Sequence, residues 1–188
     1  MRVAVVYESL YGNTHEIAAG IAAGVTEAQP DAQVDLLRVG DADPARAAEA
    51  DLLIVGGPTH MRGMTTGLSR KLGVSAEDKK EPGERHDLEP DAEGPGVRDW
   101  LHDLPKAAER RPAAAFDTRI GAKLAGGAAH GIARRLEHHG YEVIAEPEGF
   151  YIQDNGEGPL KEGETDRARD WAAGLLRQVA AAVPGGTR

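Results

Sequence analysis

Six residues near the amino terminus, Ser9-Leu10-Tyr11-Gly12-Asn13-Thr14, form the stretch whose types and spacing are most suggestive of chemistry. The hydroxyls of Ser9 and Thr14 and the amide of Asn13 donate hydrogen bonds without bringing a full charge. Gly12 lets the backbone come close to a ligand. No Lys or Arg lies in the loop. A triphosphate is usually gripped by the lysine of a Walker loop and a dinucleotide by a G-x-G-x-x-G turn, and the loop has neither. Such a hydroxyl-rich loop suits a single terminal phosphate. The plainer alternative is that Ser9, Asn13 and Thr14 only cap a helix.

A second candidate loop, Gly56-Gly57-Pro58-Thr59-His60-Met61-Arg62-Gly63-Met64, holds a histidine, an arginine and two methionines. A neutral imidazole at His60 offers both a donor and an acceptor near physiological pH, and a loop histidine also serves as simple packing. Met61 and Met64 have polarisable sulfurs able to lie on an aromatic face, and loop methionines also serve as simple packing. Arg62, and Arg119 further along, are cations for an anionic ligand or else solvated surface residues. His138 and His139 are neighbours near a helix end, so they diverge and do not form the i, i+4 pair that chelates a metal. The chain has no cysteine. Disulfides, thiolate metal ligands, iron–sulfur ligation and cysteine nucleophiles are thereby excluded, and any redox chemistry requires a bound cofactor.

Elements that would position these loops follow from the apolar pattern. Arg2 to Tyr7 is a short apolar run rich in β-branched residues, as expected of a strand buried on both faces. From Asn13 to about Gln29, Ile17, Ile21 and Val25 recur every fourth position and predict a helix. Gln33 to Val39 predicts a second strand, Pro44 to Ala50 a short helix and Asp51 to Val55 a third strand. Val97 to Ala108 reads as helix and Pro112 to Phe116 as a strand ending at Asp117. Leu124, Ala128, Ile132 and Leu136 mark a helix that Gly140 ends. A split strand, Tyr141 to Ala145 and Gly149 to Ile152, precedes a last helix that Thr165 can cap. Strands alternating with helices predict an α/β fold with right-handed crossovers and a doubly wound parallel sheet.

The 188 residues, 40% hydrophobic, suit one domain, taken as 1–183 with a flexible tail at 184–188. Residues 74–95 carry eight acidic and three basic side chains with repeated Pro and Gly, and read as an acidic surface insertion. With 22 basic against 31 acidic residues, the net charge of −9 disfavours nucleic acid and anionic membranes and steers basic protein partners. No apolar run reaches about 20 residues, and the start of the chain lacks a signal-type segment, which predicts a cytoplasmic protein.

The two loops in order, Ser9-x-x-Gly12-x-Thr14 and Gly56-x-Pro58-Thr59, resemble those of the flavodoxin family. The likeness extends over most of the element order and includes Phe116-Asp117-Thr118-Arg119 and Gly158-Pro159-Leu160. It implies a five-stranded sheet of order 2-1-3-4-5, with FMN at the switch point between the first and third strands. By that resemblance Ser9, Tyr11, Gly12, Asn13 and Thr14 hold the phosphate. Pro58, Thr59, His60, Met61, Arg62 and Gly63 line the ring, while Asp117, Thr118, Arg119 and Gly121 approach its pyrimidine edge. Trp or Tyr residues, which flank the ring in many flavodoxins, are absent from these two loops.

Three functions are consistent with this reading. The first is an electron carrier, monomeric or weakly self-associating, between a reductase and an acceptor. The second is an FMN-dependent NAD(P)H:quinone oxidoreductase, and the third a flavin-free interaction module on the same fold.

Overall fold

In a computed structural model, residues 1–60, 63–81, 83, 85–90, 92, 94–121, 127–153 and 158–182 are described. Met61, Arg62, Leu124 and the tail at 184–188 lie outside them. The elements are β1 (Arg2–Tyr7), α1 (Asn13–Ala28), β2 (Gln33–Arg38), α2 (Pro44–Ala47), β3 (Leu52–His60), β4 (Gly63–Met64), α3 (Gly67–Asp78), α4 (Val97–Asp103), β5 (Pro112–Ile120), α5 (Ala128–His138), β6 (Glu142–Val143), β7 (Glu148–Ile152) and α6 (Glu164–Ala182).

Apolar runs buried on both faces become the central strands. β1 lies between β2 and β3, β3 pairs with β5, and β5 pairs first with β6 and then with β7, all in parallel. The short β4 is a separate antiparallel partner of the end of β3. Taking β6 and β7 as one interrupted strand, the order is the expected 2-1-3-4-5, with β4 as an addition. Alternation along each strand divides the core. Ala4, Val6, Leu53, Val55, Ala113 and Ala115 face α2, α4 and α5, whereas Val3, Val5, Leu52, Ile54, Ala114 and Phe116 face α1 and α6.

Two strands run further than their apolar residues indicate. β3 continues from Gly56 to His60 because β5 stays alongside it as far as the Pro58–Thr118 pair and β4 pairs with its tip. β5 continues from Asp117 to Ile120 because β7 supplies partners from Glu148 to Ile152. Three other boundaries also differ. α4 stops at Asp103, with Leu104 extended ahead of Pro105. α2 ends at Ala47 after its Asp43 cap. Thr165 lies inside α6, and its hydroxyl donates to Glu16 across the α1–α6 contact at 3.1 Å.

The segment 74–95 begins as helix, since α3 runs to Asp78. Two of its carboxylates turn inward. Glu77 is buried against Lys80 and His86, and the largely buried Glu89 carboxylate accepts from Arg38 while its backbone N–H donates to Leu10 O in the loop before α1.

Candidate functional site

In parallel β–loop–α units the helices start at the carboxyl ends of the strands, so their positive N-termini gather in one crevice. Three of these, on α1, α4 and α5, are treated differently by the sequence. α4 begins at Val97, whose N–H donates to Glu8 Oε2 at 2.8 Å. Glu8 stands between β1 and Ser9, is 5% exposed, and also accepts the Thr65 hydroxyl. α5 begins at Ala128, whose N–H donates to Thr59 Oγ1 at 2.8 Å, while Ala129 N–H donates to Asp117 Oδ2 at 2.9 Å. α1 has Gly12 as its N-cap, at φ 86°, and no side chain among the described residues caps it. A left-handed backbone here favours glycine, and the N–H groups of the first turn have no acceptor within the helix.

Burial holds the Glu8 and Asp117 carboxyls above the usual carboxylate range, against the lowering effect of their hydrogen bonds and of Arg70 and Arg119 respectively. Arg70, on α3, lies 3.9 Å from Glu8 and 3.0 Å from Asp99, and Arg119 Nε lies 3.0 Å from Asp117. The backbone N–H of Gly96 and the Arg70 guanidinium both pull the Asp99 carboxyl down.

Beside the α1 loop lies a cavity of about 330 Å³, within the range of small-molecule sites. Leu10 and Tyr11 border it from the loop, and Pro58, Thr59 and His60 from β3. Thr118, Arg119 and Ile152 line it from β5 and β7, and Ser69, Arg70, Leu72, Gly73 and Ala76 from α3. Glu8 and Thr65 complete the lining. The cavity thus brings together Tyr11, Pro58, Thr59, His60, Thr118 and Arg119 from the sequence-based set. Asp117 is fully buried at the start of α5, Gly63 pairs with His60 in the β3–β4 turn, and Gly121 stands toward Lys161 and Tyr151.

Within the loop the polar side chains already have partners. Ser9 Oγ accepts from Gly12 N–H at 3.1 Å, which leaves its own proton to donate. Asn13 Nδ2 donates to Gly158 O at 2.9 Å and ties the loop to Gly158-Pro159-Leu160. Thr14 and Thr118 share a buried hydroxyl–hydroxyl bond of 2.7 Å. Asn13 has a second Nδ2–H, and Thr14 keeps its own proton where Thr118 donates in their shared bond, so these side chains, like Ser9 and the backbone N–H groups, retain donors while they fix the loop's shape.

Sequence reasoning passed over Glu8, Arg70 and Glu89. Glu8 left one signal, a carboxylate directly after the apolar run Val3 to Tyr7. Arg70 and Glu89 meet their partners only through tertiary contacts. Among the described residues, no group of three or more His, Cys, Asp or Glu side chains is placed to hold a metal. None of the helices there is long and apolar enough to cross a membrane.

No protein-family model matches the chain, and no curated protein sequence does. Solved structures do align with it. A flavodoxin from the domain Archaea is 16% identical, with a TM-score of 0.63 over 96% of this chain and 99% of the other. Oxidised flavodoxin 1 from Bacillus cereus is 16% identical, with a TM-score of 0.64 over 94% and 98% of the two chains. The flavodiiron protein from Giardia intestinalis, 17% identical with a TM-score of 0.60, matches 96% of this chain through 36% of its own. Sheet order, crevice and these superpositions agree, and the fold is that of the flavodoxins.

Proposed function

We propose that the protein binds FMN at the β1–α1 loop and carries electrons between a reductase and an acceptor in the cytoplasm. The observation that supports this most is the start of α1, which no side chain among the described residues caps, since Glu8 and Asp117 satisfy α4 and α5 while the α1 loop opens beside a ligand-sized cavity. A phosphate fits there because the loop offers N–H donors, the Ser9 hydroxyl and the positive end of a sixteen-residue helix.

The flavin, when bound, supplies one- or two-electron transfer at its ring. The chain's own residues do the rest. Ser9 and the first turn of α1 anchor the phosphate, and Pro58, Thr59 and Thr118 form the wall and floor for the ring. Leu72, Gly73 and Ala76 of α3 exclude water from one side. Arg119 favours negative charge at the ring edge, moderated by its pairing with Asp117. Met61 and Arg62 belong to the same proposed ring-lining loop.

His60 is exposed at the cavity, which supports a second reading as an FMN-dependent NAD(P)H:quinone oxidoreductase with His60 as a substrate contact. FMN-loaded protein separates the two. A carrier, once reduced, passes electrons to a protein acceptor such as cytochrome c and gives no sustained NADPH oxidation with a quinone. Steady turnover with NADPH and quinone, lost in His60→Ala, establishes the enzyme instead.

A further inference from the structure

Residues 85–90 lie across the loop that precedes α1. Glu89 N–H donates to Leu10 O at 2.9 Å. The Glu89 carboxylate accepts from Arg38, at the end of β2, and lies 3.2 Å from His15 Nδ1, in the first turn of α1. Its side chain is only 10% exposed. The ring of His86 meets that of Tyr11 edge-on at 5.7 Å. Glu89 Oε1 is 3.9 Å from the point where a side chain on Gly12 would begin. The start of α1, which no described side chain caps, therefore already has an anion beside it, supplied by a distant segment and paired with Arg38.

We propose that Glu89 is a specificity-determining residue that sets how strongly this loop discriminates a phosphorylated ligand from its unphosphorylated counterpart. The inference rests on the FMN reading for the identity of the ligand. A phosphate monoester carries about −1.5 to −2 charges near pH 7. Seated on the α1 loop it stands close to the Glu89 carboxylate, in a partly buried setting where like charges are poorly screened. It also competes with that carboxylate for Arg38 and His15. A ligand without the phosphate meets neither effect. Closure of residues 85–90 over the loop and occupation by phosphate thus oppose each other through one side chain.

Glu89→Gln tests this, because it keeps the backbone bond to Leu10 and the shape of the segment while removing the charge. FMN, riboflavin and inorganic phosphate are each titrated into wild-type protein and the variant, flavins by fluorescence and phosphate by calorimetry. The expected result is at least tenfold tighter FMN and phosphate binding in Glu89→Gln, with riboflavin within twofold of wild type. Arg38→Ala, which leaves Glu89 less balanced, weakens FMN and spares riboflavin. Equal FMN-to-riboflavin ratios in wild type and Glu89→Gln overturn the assignment and leave the FMN reading intact. Tighter phosphate in the variant with no flavin bound by either protein supports the role of Glu89 and overturns FMN. Binding of none of the three to either protein overturns both.

Discussion

Asp117 is fully buried where β5 passes under the start of α5, and its titration bears on stability. Burial raises its carboxyl above the usual range, ahead of the lowering contributions from Ala129 N–H and Arg119. The folded chain therefore keeps a proton at pH values where the unfolded chain has released it. Its contribution to stability is complete below the ordinary carboxylate pKa and is lost as pH rises through the raised value. Asp117→Asn retains an acceptor for Ala129 and removes the titration. Urea unfolding from pH 4 to pH 7 is expected to show wild type losing stability relative to this variant as pH rises, and a difference independent of pH contradicts that. Glu77 has the opposite sign. Its burial alone would raise the carboxyl, but Lys80 and the His86 backbone and ring outweigh it and bring the value from 4.5 to about 2. Its stabilisation is present above the ordinary value and fades as pH falls from 4.5 to about 2, so the gap between wild type and Glu77→Gln shrinks across that window.

Among the helices, α1 and α6 approach so closely that a side chain added at Gly24 would start 2.5 Å from the carbonyl oxygen of Arg169. Gly→Ala inside an exposed helix normally gains about 1 kcal/mol from propensity. Here the clash is with backbone, which cannot rotate away, so Gly24→Ala is expected to destabilise by roughly 1–3 kcal/mol. A neutral or stabilising change in thermal unfolding contradicts the close contact. Legibility in the sequence follows the same divide between local and distant causes. The strands β1 and β2 and the helix α1 could be read nearly to their ends, because each is specified by its own apolar period. Asp117 to Ile120 could not, since polar residues become strand there only through pairing with β7. The loop Ser9 to Thr14 was recognisable from its residue types. The engagement of Asn13 with Gly158 and of Thr14 with Thr118 depends on partners more than a hundred positions away.

At the scale of the molecule, two buried carboxylates close the N-termini of α4 and α5, the start of α1 has no side-chain cap among the described residues, and a cavity opens beside it. Ala76 and Glu89, both from the acidic stretch, take part in this arrangement. α3 forms one wall of the cavity, and Glu89 borders the loop. Against the chain's net charge of −9, the attraction for an anionic cofactor comes from the loop's donors, the α1 dipole and the neighbouring Arg38, so binding is a local property of the crevice. Titration of the apoprotein with FMN, followed by fluorescence quenching and by perturbation of the flavin absorbance, tests this most directly. Binding at the α1 loop predicts one FMN per chain, held at micromolar concentration or tighter and weakened at least tenfold when Gly12 is replaced by Val. Absence of binding at tens of micromolar FMN, or equal binding in Gly12→Val, would contradict it.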